Sequence, residues 1–136
     1  MKDHWKITGK IVSGIKQGAF FTQLDWVQEQ CLQKLGFKPF PGTLNLEIPD
    51  ESVTIIENLT TQEGIELVPP DSNFCSGYIF PVSVAGISGA IVSPAEDVRV
   101  HRKNIIEIVS HVSLKDALDV DDGDWVTLTF DRSLSA

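Results

Sequence analysis

Pro41-Gly42-Thr43-Leu44-Asn45-Leu46-Glu47-Ile48 is the stretch that decides how this chain is read. A Pro-Gly turn runs straight into a short strand-like segment. Side chains alternate along a strand, so Thr43 and Asn45 share one face while Leu44 and Leu46 share the other. The leucine face can pack. The other face carries a hydroxyl and an amide oxygen, both neutral hard-oxygen ligands. Such a pair suits a Mg²⁺ that arrives with a nucleotide, because Mg²⁺ takes few protein ligands and keeps waters and phosphates. The same pair also serves as ordinary solvent-facing strand and turn residues, and spacing alone does not separate the two readings.

Working outward, the period changes upstream. Leu24, Val27, Cys31, Leu32 and Leu35 recur at helical spacing, which predicts one clear helix over about residues 23–35. Gly36 stands where a C-terminal cap glycine belongs, and residues 37–42 form a rigid, proline-bounded connector. Residues 5–13 are rich in β-branched types and predict a strand. Downstream, residues 49–72 fit either a short helix from Pro49 to Ile56 or a strand. Residues 77–84 and 90–92 predict two strands around a glycine-bearing turn, and residues 105–109 another. Residues 113–118 predict one or two helical turns, with Ser113 as N-cap. Val126, Leu128 and Phe130 alternate on one face of a last strand after the Asp122-Gly123 turn. Several short strands and no repeating strand–helix unit predict a mainly β fold, a small closed or nearly closed barrel in a single domain over residues 1–136.

The formal net charge of −8 over 136 residues excludes a general nucleic-acid binder and an anionic membrane surface as partners. It leaves a nucleotide open, because local donors and a divalent cation override the global field. Cys31 and Cys75 form no CxxC pair, and residues 1–6 contain no apolar signal core. No apolar run is long enough to span a bilayer. These features predict a cytoplasmic protein with reduced thiols, with a single Cys31–Cys75 disulfide as the alternative.

Other motifs are weaker. Gly14 and Gly18 bracket Ile15-Lys16-Gln17 after a predicted strand. The segment lacks a Walker Gly-Lys-Ser/Thr ending, yet such a loop can hold an anion through its backbone N–H groups, or be a plain turn. Asp119, Asp121, Asp122 and Asp124 suggest an EF-hand start, but Phe130 stands where that loop needs a glutamate, so the cluster predicts a solvated turn. His101 lies in a basic stretch, Arg99-Val100-His101-Arg102-Lys103, that can meet a phosphate. Glu107, between Ile106 and Ile108, points away from an apolar face and can accept hydrogen bonds from a ligand or from water. No zinc spacing and no hydrolase triad order is present.

These blocks resemble the archaeal-type CTP-dependent riboflavin kinases. The resemblance is carried by Gly9-Lys10-Ile11-Val12-Ser13-Gly14 with Gly18, by Leu35-Gly36-Phe37-Lys38-Pro39-Phe40-Pro41-Gly42-Thr43-Leu44-Asn45-Leu46, and by His101, Ile105-Ile106-Glu107-Ile108, Leu114, Leu118 and Asp122-Gly123-Asp124. It implies a compact six-stranded Greek-key β-barrel. It implies transfer of the γ-phosphoryl of CTP to the 5′-hydroxyl of riboflavin, giving FMN and CDP. By the same resemblance Gly14, Ile15, Lys16, Gln17, Gly18 and Ala19 bind the nucleotide, with Val112, Ser113, Leu114 and Lys115 as a second nucleotide segment. Thr43 and Asn45 hold Mg²⁺. Glu107 contacts the flavin, and Arg99 occupies the place of the family's flavin-phosphate threonine. Lys16 replaces a usual glycine, Ser110-His111 a usual Ala-Pro, and Lys115 an arginine. A non-catalytic flavin- or nucleotide-binding module on the same barrel is the alternative these departures leave open.

Overall fold

The computed structural model describes residues 2–12, 23–40, 43–68, 77–94 and 104–133. Among the described residues seven strands and three helices follow one another as β1 (Lys2–Val12), α1 (Asp25–Leu35), β2 (Leu44–Glu47), α2 (Asp50–Glu63), β3 (Ile65–Leu67), β4 (Gly77–Val84), β5 (Ile87–Pro94), β6 (Ile105–Ser110), α3 (Leu114–Leu118) and β7 (Trp125–Ser133).

All strand pairings are antiparallel. The sheet runs β3-β4-β5-β6-β2-β1-β7, and β7 also pairs with β4. That last pairing closes six strands into a barrel and leaves β3 as an extra strand outside the ring. β4, β5 and β6 are a meander, and β7 returns to lie beside β4; this order is a Greek key. The six-stranded Greek-key expectation is met.

Closure is uneven. β1 and β7 are zipped from Lys2↔Ser133 to Lys10↔Trp125. β4 and β7 meet only at Ser83↔Thr129 and Val84↔Leu128. The β4–β5 hairpin turns on Ala85 and Gly86, both at positive φ (49° and 90°). Two such residues make the tight hairpin turn whose twist suits the flanking strands. The turn is therefore shorter than the 85–89 stretch the sequence suggested, and Gly89 lies inside β5. A Cβ on Gly89 would stand 2.7 Å from the Val109 carbonyl oxygen, so only glycine allows β5 to lie this close to β6.

Alternation explains the core. Ile7 and Ile11 of β1, Leu44 and Leu46 of β2, and Ile106 and Ile108 of β6 all point into the barrel. Val126, Leu128 and Phe130 of β7 join them, and Phe130 meets Phe80 of β4 edge-on, with ring centroids 5.7 Å apart. A second cluster forms outside the wall, where Val27 and Cys31 of α1 cover Ile79, Ala90 and Val109. Gly36, at φ 86°, ends α1, its N–H donating to the Leu32 carbonyl. Leu32 itself is 47% exposed, although the helical stripe placed it inward. The helix is fastened on another side by polar groups. Gln30 exchanges hydrogen bonds with the backbone of Val68, and Lys34 Nζ donates to the Glu66 carbonyl.

Residues 50–63 resolve the ambiguous region as a 14-residue helix, longer than the turn through Ile56 that the sequence allowed. Its β-branched residues are carried by packing: Ile56 is buried, with Val53 and Ile55 against the barrel core. Asp119–Asp124 form the turn expected of them. Asp121 N–H donates to Asp124 Oδ2, and Gly123 N–H to the Ile11 carbonyl.

Candidate active site

β2 lies between β1 and β6, which makes its outer face the meeting point of three strands. In register, Asn45 stands opposite Val12 on one side and Glu107 on the other. Thr43 lies two residues before Asn45, on the same face. Its Oγ1 donates to Glu107 Oε1 at 3.3 Å. Two candidate metal ligands and the candidate flavin contact are thus one cluster, assembled by antiparallel register from residues 64 apart in sequence.

Asn45 is 9% exposed, which strand alternation alone did not suggest. Its Oδ1 has no hydrogen-bond partner among the described residues. A buried carbonyl oxygen without a partner costs roughly 1–3 kcal/mol. Such an atom is retained where something outside the chain completes it. Thr43, by donating its proton to Glu107, keeps its oxygen lone pairs available as well. Two neutral oxygens with a carboxylate behind them fit a Mg²⁺ that brings its own phosphates and waters. Among the described residues no group of three His, Cys, Asp or Glu side chains offers another metal site.

A cleft of ≈ 200 Å³ opens at this end of the barrel. Leu44 and Ile108, register partners across β2 and β6, give it an apolar floor; Thr43 and Ser110 add hydroxyls; residues 112–115 form one wall and Phe40 another. The second nucleotide segment of the sequence reading therefore shares a cleft with Thr43. Local chemistry shapes that wall. Ser113 Oγ caps α3 by accepting from Asp116 N–H, and Leu114 is buried below it. Lys115 Nζ is held 2.7 Å from Asp122 Oδ1, both side chains about half exposed. The first nucleotide segment, Gly14 to Ala19, lies outside the described residues, as do Arg99 and His101.

Ser110 of the cleft and its neighbour His111 carry roles that sequence reading did not give them. Ser110, a departure from the family pattern, is 2% exposed and donates from Oγ to the Ser88 carbonyl at 2.6 Å. Its own carbonyl accepts from Phe40 N–H at 2.7 Å. The neighbouring His111 lies against Phe37, ring centroids 5.8 Å apart. The Ser-His pair thus anchors the 37–40 connector. The available signal was an aromatic residue set between two prolines, Pro39-Phe40-Pro41.

Fold and site together define a closed Greek-key barrel with a cleft of mixed polar and apolar lining at one end. The family model CTP-dep_RFKase, described as a domain of unknown function (DUF120), matches residues 11–130. A protein of Archaeoglobus fulgidus named riboflavin kinase is 38% identical over 125 residues, covering 89% of this chain and 52% of the relative. One of Thermococcus kodakarensis with the same name is 37% identical over 125 residues, covering 90% and 57%. One of Methanobrevibacter smithii, also named riboflavin kinase, is 33% identical over 126 residues, covering 92% of this chain and 99% of the relative. The chain belongs to the CTP-dependent riboflavin kinase family. It spans about half the length of the A. fulgidus protein and nearly all of the M. smithii one. Among the described residues no helix is long and apolar enough to cross a membrane.

Proposed function

We propose that this chain is a riboflavin kinase, working as one barrel domain over residues 1–136. It moves the γ-phosphoryl group of CTP to the 5′-hydroxyl of riboflavin, giving FMN and CDP. The observation that carries this reading is the buried Asn45 Oδ1, without a partner among the described residues, beside the Thr43–Glu107 pair, of which Thr43 lines the cleft. Family membership supplies the substrates, and CTP as donor rests on the family's name.

Phosphoryl transfer asks a protein for positioning and charge neutralisation more than for covalent chemistry. Thr43 and Asn45 hold Mg²⁺, which offsets the negative charge of the phosphates when bound. Glu107 accepts the Thr43 hydroxyl proton in a hydrogen bond, orienting that oxygen, and by the family resemblance also receives a hydrogen bond from the flavin. Residues 112–115 bind the nucleotide along the cleft wall, and Lys115, steadied by Asp122, adds positive charge at its rim. Gly14, Ile15, Lys16, Gln17, Gly18 and Ala19 also bind the nucleotide, and Arg99 binds the flavin phosphate; both assignments come from the family resemblance. A free, buried thiol at Cys31 suits a reducing compartment, in line with a cytoplasmic protein.

The test is product analysis. Purified protein with riboflavin, Mg²⁺ and each of CTP, ATP, GTP and UTP is scored for FMN. FMN from CTP supports the assignment. Binding of both ligands with no FMN from any donor assigns the barrel to a non-catalytic binding module.

A further inference from the structure

One cleft residue is placed unlike an ordinary surface phenylalanine. Phe40 is 44% exposed, one of the large apolar side chains left open among the described residues, yet its backbone is fixed from several sides. Its N–H donates to the Ser110 carbonyl, and Gln28 Nε2 of α1 donates to the carbonyl of Pro39, which is itself buried. Phe37 rests on His111 three residues earlier. An exposed apolar ring on a fixed backbone costs little conformational entropy when a flat ligand lies on it.

The surroundings narrow the ligand. Leu44 and Ile108 form an apolar floor, while Thr43, Ser110, Ser113 and the ion-paired Lys115 supply polar groups, so the cleft offers an apolar seat for a ring beside polar walls. Its ≈ 200 Å³ is below the about 300–1,000 Å³ of sites that take drug-sized molecules, which suits one ring rather than a three-ring flavin. Thr43 follows Phe40 by three residues, at most about 10 Å of extended chain. A ligand with a ring at one end and metal-bound phosphates at the other matches that layout.

We propose that Phe40 is the stacking platform for the single-ring base of the nucleotide donor, with Ser110 and His111 as the anchors that hold it over the cleft. The inference rests on the reading of this cleft as the nucleotide site and adds the residue that recognises the base. Every base has a π-face, so Phe40 sets affinity for a nucleoside over bare phosphates, while ring size is limited by the cleft.

Equilibrium binding in the presence of Mg²⁺ tests it with wild type, Phe40→Ala, Phe40→Leu and Phe40→Trp, each checked for a wild-type melting profile. Three probes are used: CTP, inorganic tripolyphosphate and riboflavin. Expected is a roughly 5- to 150-fold weaker CTP affinity in Phe40→Ala, the range for loss of one base–aromatic stack. Phe40→Leu shows most of that loss, because it keeps apolar bulk without the ring, and Phe40→Trp retains wild-type affinity. Tripolyphosphate and riboflavin bind all four proteins alike. Weakened riboflavin binding with CTP unchanged overturns the proposal and gives the platform to the flavin. Equal loss of CTP and tripolyphosphate overturns it too, making Phe40 a mere support. Should Phe40→Ala fail to fold, the contrast between Phe40→Leu and Phe40→Trp decides. The kinase reading stands or falls separately, on FMN formation by wild type.

Discussion

Replacing Asn45 by leucine separates the cost of the site from its use. The Asn45 side chain is buried and its Oδ1 has no partner among the described residues. That oxygen carries a desolvation penalty of roughly 1–3 kcal/mol in the ligand-free protein. Leucine has a similar shape and no polar atom, and it would face Val12 across the β1–β2 pair. Part of the gain is lost because Glu107, on the other side, also borders the position. The expected net change is a stabilisation of about 1–2 kcal/mol, which for a domain of this size raises the melting temperature by roughly 3–8 °C. The same substitution removes a metal ligand, and the rate of FMN formation should fall by about 100-fold or more, the ~3 kcal/mol of a lost transition-state charge stabiliser. Thermal unfolding without ligands gives the first number and a Mg²⁺-dependent FMN assay the second. Adding Mg²⁺ and CTP at about 100 times Kd should stabilise wild type by ~2.7 kcal/mol and the variant by clearly less. A variant that melts below wild type without ligands refutes the reasoning: Oδ1 would then be satisfied within the chain, with no vacancy for a cation.

Four further outcomes follow from other parts of the molecule. Gly89→Ala should destabilise by about 1–3 kcal/mol in urea unfolding, because its Cβ would meet the Val109 carbonyl oxygen at 2.7 Å. Asp122→Asn should change stability by less than ~1 kcal/mol, with the difference shrinking in high salt, because the Lys115–Asp122 pair is half exposed. Burial pushes the Cys31 thiol up to about 11, outweighing the nearby Lys34, so alkylation mapped by mass spectrometry at pH 8 should spare Cys31 until denaturant is added. The unfolded thiol ionises near 9.0 and the folded one near 11, so this contribution to stability is complete below 9.0 and is lost as pH rises through 11. Arg99→Ala, a prediction from sequence, should erase any preference of the protein for FMN over riboflavin in calorimetry while leaving riboflavin affinity unchanged.

Legibility in the sequence tracked how local the deciding forces are. The helix from Asp25 to Leu35 and its stop at Gly36 were readable, since apolar period and a left-handed glycine are local signals. The alternation of Val126, Leu128 and Phe130 likewise gave β7. The helix from Asp50 to Glu63 was not decided, because Val53, Thr54, Ile55 and Ile56 favour a strand locally and only packing against the barrel overrides them. Leu32 left the side the stripe gave it, because backbone groups of residues 66 and 68 offer Gln30 and Lys34 of α1 polar anchorage that no helical wheel contains. In the site, Thr43, Asn45 and Glu107 were each named from residue type and resemblance. That they form one cluster depends on the β2–β6 register, a long-range fact. The burial of Asn45 was hidden for a related reason: alternation treats the outer face of a strand as wet, whereas a barrel wall can be covered on both sides, as α1 does over β5 and β6.

The uneven closure of the barrel bears on how the protein is made. β7 is partner to both β1 and β4, and its pairing with β1 joins residues as far apart as Lys2 and Ser133. Bringing such distant residues together is entropically slow. On the ribosome, β1 is synthesised first and waits with one edge unpaired until β7 emerges. The meander from β4 to β6 can form in the meantime, because its hairpins are local. The nascent chain therefore holds an open sheet with two sticky edges through most of its synthesis, and acquires its ring in one late step. Any pause in translation before residue 125 would prolong the state most prone to pairing with a neighbouring copy.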